Sequence, residues 1–225
     1  MTVSKALVVF SGGQDSTTCL AWACHQYDEV VACTIDYGQR HRIELACAVQ
    51  LAKMAGVTHH LLTIPWAITP STLTHGGVID ASGPVPNTLV EGRNIMLLTA
   101  GAVLAKSLGI THIITGVCEA DYSGYPDCRA VFIASLQTTL QLGLDYPVQL
   151  ITPLMALTKA ATVDLIKTLG HLEWLGYSHT CYEGQQPPCG TCPACQLREK
   201  GFREAGMNDP LLSRVWPASS MGGHP

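Results

Sequence analysis

Short apolar runs alternate along much of the chain with segments in which apolar residues recur every three or four positions. Residues 6–10 (ALVVF), 30–35, 60–64, 112–115 and 149–154 read as strands buried on both faces. Helical spacing covers 16–27, 93–108 and 40–55, where Ile43, Ala46, Cys47, Leu51 and Met54 fall on one side. A further helix is expected from Thr158 or Lys159, with Ala161, Leu165, Ile166 and Leu169 turned inward. The alternation predicts right-handed βαβ units and an α/β fold with a doubly wound parallel sheet of five strands, whose ligands gather at the strands' carboxyl ends.

Two stretches break the rhythm. Residues 66–92 are rich in proline and glycine and lack periodicity, which predicts a long loop at the mouth of the sheet. Beyond about 170 the α/β pattern is lost, so the chain divides into an α/β domain over 1–170 and a small C-terminal helical, metal-binding region over 171–225. The tail 219–225 is expected to lack order.

Composition narrows the class. With 225 residues, 47% hydrophobic and only 13% charged, the chain has the makings of a packed core and not of a disordered one. A net charge of −4 excludes a protein that grips a long nucleic acid through counterion release. The longest apolar stretch, 95–104, is broken by Thr99 and is too short to span a bilayer. The opening apolar run is also too short for a signal peptide, so a cytoplasmic protein is expected. Cys19, Cys24, Cys33, Cys47, Cys118 and Cys128 are scattered through core-like segments and are read as reduced thiols.

Ser11-Gly12-Gly13-Gln14-Asp15-Ser16 stands between the first strand and the first helix. Glycines there let backbone N–H groups converge on an anion, the helix adds its positive end, and the serines add hydroxyl donors. No lysine follows as in a Gly-x-x-x-x-Gly-Lys loop, so nothing is placed to track a γ-phosphoryl group. The plainer alternative is a β-to-α turn with Asp15 or Ser16 as N-cap.

A second motif, Cys181-x7-Cys189-x2-Cys192-x2-Cys195, offers four thiolates at spacings suited to tetrahedral zinc, the alternative being a redox Cys-x-x-Cys. Four protein ligands leave no position for a catalytic water, so such a zinc is structural. Residues 121–129 supply Asp121, Tyr122, Tyr125, Asp127 and Arg129 just after the fourth predicted strand, either as a ligand-binding segment or as a surface turn. Arg93 sits at a predicted helix start, where a cation opposes the helix dipole unless it meets an anion. Lys159 likewise begins a helix.

Taken together, FSGGQDSTTCL at 10–20, DYGQRH at 36–41, Gly92-Arg93-Asn94, TGVCEADYSGYPDCR at 115–129, Lys159 and the four cysteines resemble the N-type ATP pyrophosphatases. Within them the pattern is similar to the 7-cyano-7-deazaguanine synthase family, over about residues 6–203. The resemblance implies ATP held by Phe10, Ser11, Gly12, Gly13, Gln14, Asp15, Ser16, Thr17, Thr18, Cys19 and Leu20, with Asp15, Ser16 and Lys159 as catalytic residues. It implies a substrate site of Arg93, Asp121, Tyr122, Tyr125, Asp127 and Arg129, a zinc site of the four cysteines, magnesium with the pyrophosphate, and a homodimer. The expected reaction joins 7-carboxy-7-deazaguanine and ammonia at the cost of ATP, in queuosine precursor biosynthesis. A relative that adenylates a tRNA base would need a basic surface that the charge balance does not supply.

Overall fold

The computed structural model describes residues 3–65, 71–80, 87–119 and 125–214. Five parallel strands form one sheet in the order β3-β2-β1-β4-β5: β1 (Lys5–Val9), β2 (Glu29–Asp36), β3 (Thr58–Thr63), β4 (His112–Ile114) and β5 (Gln149–Ile151). Leu7 stands opposite Val31 on one side and Ile113 on the other, so β1 is fully enclosed. Among the described residues, six α-helices accompany the sheet: α1 (Gln14–Gln26), α2 (Ile43–Ala55), α3 (Arg93–Ser107), α4 (Ala130–Leu144), α5 (Lys159–Thr168) and α6 (Pro193–Glu204).

The alternation of side chains along each strand divides the core into two layers. Ala6 and Val8 of β1, Phe10 just beyond it, and Val30 and Ala32 of β2 pack toward α1, α2 and α5 through Leu20, Leu51, Val163 and Ile166. Leu7, Val31, Cys33 and Ile35 pack the other way, toward α3 and α4 through Leu98, Ala102, Ile133 and Leu136. Trp174, Leu175 and Phe202, from the region beyond 170, belong to the first layer.

Three features depart from the periodicity. The buried face of α2 is Glu44, Leu45, Cys47, Ala48, Leu51 and Ala52, whereas Ala46 is exposed. The helix is turned this way because it also backs the glycine loop: a Cβ on Gly12 would lie 2.4 Å from the Glu44 carbonyl oxygen and 2.7 Å from the Ala48 nitrogen. Helix α4 was not expected at all. Its sequence AVFIASLQTTLQLGL has no charged residue to mark a solvent face. The fifth strand also ends at Ile151, where the chain turns into Pro153. The described parts of the long 66–92 loop carry no helix or strand but are pinned by Leu73, Thr88 and Val90, all buried. The tail beyond residue 214 lies outside the described residues.

The chain leaves β1 toward β2 and β3 on one side and later returns to β4 and β5 on the other. The crevice between the carboxyl ends of β1 and β4 is therefore the switch point at which ligands of such sheets bind.

Candidate functional site

The glycine loop opens into this crevice. Gly13 is the N-cap of α1 and makes no side-chain capping bond, which places Asp15 and Ser16 inside the first turn and leaves neither as the cap. The first-turn N–H groups thus have no side-chain cap, the arrangement that anions occupy. The loop holds its own shape: Gly13 N–H donates to Ser11 Oγ (3.2 Å), the Ser11 and Ser16 hydroxyls are 3.0 Å apart, and Ser16 Oγ donates to the Gly13 carbonyl (3.1 Å). Across the crevice Gly116, just after β4, comes so close that a Cβ there would lie 3.1 Å from the Ser16 nitrogen. No larger residue fits between the two loops without moving one of them.

Of the eleven residues expected to hold the nucleotide, Phe10, Ser11, Gly13, Gln14, Asp15 and Ser16 line the cleft. Gly12 packs on α2, and Thr17, Thr18, Cys19 and Leu20 are buried, with the Thr17 and Thr18 hydroxyls donating to the carbonyls of Gly13 and Gln14. Lys159, at the first turn of α5, donates from Nζ to both Asp15 carboxylate oxygens at 2.7 and 2.5 Å. Thr158 caps that helix by accepting from Ala161 N–H, and the Lys159 stem lies against α6, where a Cβ on Gly201 would meet the Lys159 Cβ at 2.9 Å. Lys159 is buried, and its cationic head is aimed at the loop.

Arg93 begins α3 and faces the cleft within a cage of tyrosines. Its guanidinium carbon is 5.9 Å from the Tyr125 ring centroid, and it shares a hydrogen bond with Tyr37. Tyr125 is itself fixed by Thr88, whose hydroxyl lies 2.6 Å from the phenol oxygen. Asp127 and Arg129 take different places. The Asp127 carboxylate accepts from the Asn94 backbone N–H at 3.0 Å, while Asn94 Nδ2 donates to the Asp127 carbonyl, so Asp127 ties down the start of α3. Arg129 is exposed at the start of α4, and neither residue lines the cleft. Asp121 and Tyr122 lie outside the described residues.

Sequence reasoning passed over several residues of the cleft wall. Tyr37, Gln39, His41 and Glu44 follow β2, and Thr180 and Tyr182 arrive from the C-terminal region. Burial, together with the charges of Arg93 and His179, lowers the His41 imidazole to about 3 and keeps it neutral. Burial also pushes the Glu44 carboxyl up to about 8, with Arg93 pulling the other way. The DYGQRH motif was a signal for Tyr37, Gln39 and His41, but it gave none of them a task. Its Asp36 braces the turn instead, accepting from Gly38 N–H and from Arg42.

Beside the cleft, the Sγ atoms of Cys181, Cys189, Cys192 and Cys195 all lie within 4.8 Å of one another, and Cys189 and Cys195 are 3.9 Å apart. A tetrahedral zinc with bonds of about 2.3 Å sets sulfur–sulfur distances of about 3.8 Å, so the four thiols fit a metal of that kind. None is in a disulfide. Backbone N–H groups of Cys189 and Cys192 point at the sulfurs of Cys181 and Cys189, as thiolates require. Cys192 caps α6 and Cys195 sits in its first turn, where the helix dipole favours negative sulfur. This knot carries Tyr182 to the cleft wall, and α6 runs from it to Lys159.

The region is braced internally by a buried arginine. Arg198 donates to both Asp209 carboxylate oxygens (2.6 and 2.9 Å), to Ser178 Oγ (2.8 Å), to Thr180 Oγ1 (3.2 Å) and to the Leu175 carbonyl (2.8 Å).

A glycine loop at the switch point of a parallel sheet, with a lysine and an arginine converging on it, defines an α/β protein built to hold a phosphorylated ligand. A family model described as "Queuosine biosynthesis protein QueC" matches residues 5–206. A protein of Chromobacterium violaceum named 7-cyano-7-deazaguanine synthase is 51% identical over 219 residues, covering 93% of this chain and 94% of its own. Proteins of the same name from Laribacter hongkongensis and Clostridium botulinum are 50% and 49% identical, covering 93% and 91% of this chain and 95% and 97% of their own. The chain belongs to the QueC family of queuosine biosynthesis. Among the described residues, no helix is long and apolar enough to cross a membrane.

Proposed function

We propose that the protein is an ATP-dependent ligase that converts 7-carboxy-7-deazaguanine and ammonia to 7-cyano-7-deazaguanine. The observation that carries this reading is the single cleft in which the glycine loop, Lys159 and the tyrosine-caged Arg93 meet. A carboxylate does not accept ammonia near neutral pH because oxide is a poor leaving group. Transfer of AMP to the carboxylate makes a mixed anhydride, ammonia converts it to the amide, and AMP transfer to the amide oxygen lets the nitrile form. One nucleotide site used twice serves both activations.

In this reading the loop from Ser11 to Ser16 holds the departing pyrophosphate, and Lys159 answers the charge that develops between the α and β phosphates. Asp15, half-exposed on the loop, would hold magnesium, which when bound neutralises phosphate charge. Arg93 takes the substrate carboxylate, and Tyr125 offers a ring for the flat bicycle. Asp127 serves by fixing the start of α3 and hence Arg93. The proposed substrate segment also includes Asp121 and Tyr122, whereas Arg129, at its end, stands exposed outside the cleft. Cys181, Cys189, Cys192 and Cys195 would hold zinc, which supplies structure and no chemistry. The reading includes a cytoplasmic homodimer, implied by the family resemblance, and no nucleic-acid partner, given the net charge of −4.

Incubation of purified protein with 7-carboxy-7-deazaguanine, ammonium and ATP should yield the nitrile by mass spectrometry, with AMP and pyrophosphate in twofold excess over it. ADP as the main nucleotide product would overturn the mechanism. For the metal, Cys189→Ser should lower zinc content and melting temperature together, whereas Cys47→Ser should leave zinc unchanged. Elemental analysis of both variants, purified without chelator, checks this.

A further inference from the structure

The adenylation chemistry gives no partner to the side-chain ends of three buried residues in the cleft wall. Gln14 is 1% exposed, and neither its amide oxygen nor its amide nitrogen has a hydrogen-bond partner among the described residues. His41 is 4% exposed, and its Nδ1 is likewise unpartnered, while its Nε2 stands 3.7 Å from a Glu44 carboxylate oxygen. Glu44 is 7% exposed and lies directly behind the loop, its backbone against Gly12, with Asp15 and Arg93 near enough for their charges to bear on it. All three residues line the same cleft.

A buried amide with both ends unsatisfied is destabilising, and such groups persist in folded proteins where a ligand or ordered water completes them. The atoms here are sealed from bulk solvent, so the group that completes them must be about the size of water. It must also donate hydrogens, since Gln14 Oε1 accepts, a neutral His41 Nδ1 is able to, and Glu44 joins them once its raised carboxyl ionises above about pH 8. Ammonia has that size and that inventory.

We propose that Gln14, His41 and Glu44 form an ammonia-binding pocket behind the glycine loop, from which the nucleophile reaches the activated substrate carboxylate. This assignment rests on the ligase reading above. Above about pH 8, where the raised Glu44 carboxyl is ionised, ammonia donates to the Gln14 amide oxygen and the Glu44 carboxylate, which leaves its lone pair free to point toward the cleft. As that lone pair forms the carbon–nitrogen bond, the carbon–oxygen bond to AMP breaks and AMP departs with the bonding pair. One N–H proton passes to the Glu44 carboxylate and from there to solvent, leaving the neutral amide.

Only one of the chemical steps consumes ammonia, which makes the pocket separable from the rest of the site. Glu44→Gln keeps the shape and removes the charge that the carboxyl carries above about pH 8, so the variants are compared on the alkaline side of that value. The Michaelis constant for ammonium should rise about tenfold or more, as expected on losing a charge-assisted hydrogen bond. Exchange of labelled pyrophosphate into ATP, which needs only the carboxylate substrate, should change by less than about threefold, and so should conversion of added 7-amido-7-deazaguanine to the nitrile. His41→Leu reads the same ratios should Glu44→Gln fail to fold. An unchanged ammonium constant, or loss of exchange and amide conversion in step with it, would overturn the pocket. Absence of carboxylate-dependent exchange in the unsubstituted protein would overturn the ligase reading and the pocket with it.

Discussion

Asp209→Ala is expected to destabilise the protein by roughly 3–5 kcal/mol, the usual result of removing one partner from a buried ion pair. Both side chains are nearly inaccessible, at 5% for Arg198 and 7% for Asp209. The guanidinium cannot shed its proton, and its remaining partners are two hydroxyls and one carbonyl, so the substitution strands a cation in the interior. For a chain of this size the melting temperature should fall by roughly 6–20 °C. Lys200→Ala is the contrast. Its pair with Glu204 spans 3.8 Å on an exposed helix face and contributes at most about 0.5 kcal/mol. Scanning calorimetry on the two variants checks the pair, and near-equal melting temperatures would show that the buried bond carries no special weight.

Lys159→Ala should reduce turnover by about 10²–10³-fold, the scale on which a preorganised cation facing developing oxyanion charge contributes. The side chain is held for this: Thr158 caps its helix, Gly201 gives it room, and Asp15 draws Nζ toward the loop. Folding should suffer far less than turnover, because deleting the lysine leaves behind a carboxylate that is partly open to water. Single-turnover measurements of AMP formation would place the loss in the adenylation steps. A variant with a normal rate of AMP formation would remove Lys159 from the chemistry.

How much of this was legible in the sequence depends on how local each feature is. The central strands were readable because a strand buried on both faces is a short unbroken apolar run, as in Leu7 to Val9. The glycine loop and the cysteine knot were readable because each compresses its chemistry into a few consecutive positions. Helix α4 hid for the opposite reason: Ile133, Leu136 and Leu140 face the core, but Val131 and Leu142 are exposed, so polar and apolar positions do not separate. Asp127 and Arg198 carried no local sign of their tasks. The first answers a backbone N–H 33 positions back, and the second joins groups spread from Leu175 to Asp209. Arg93 and Lys159 were picked out as cations at helix starts, yet the tyrosine cage and the Gly201 contact that hold them come from distant segments.

The contact between Gly201 and the Lys159 stem has a consequence for how the molecule comes into being. The loop of residues 11–16 leaves the ribosome early and can take its shape against α2 as soon as that helix follows. The lysine that faces it emerges more than a hundred residues later, and the helix that backs this lysine comes later still. A nascent chain therefore carries the loop residues long before the lysine that faces them. Competence arrives in one late event, the seating of α6, and a chain broken off before residue 193 would retain the motif by which it is recognised and lack the wall that makes the motif work.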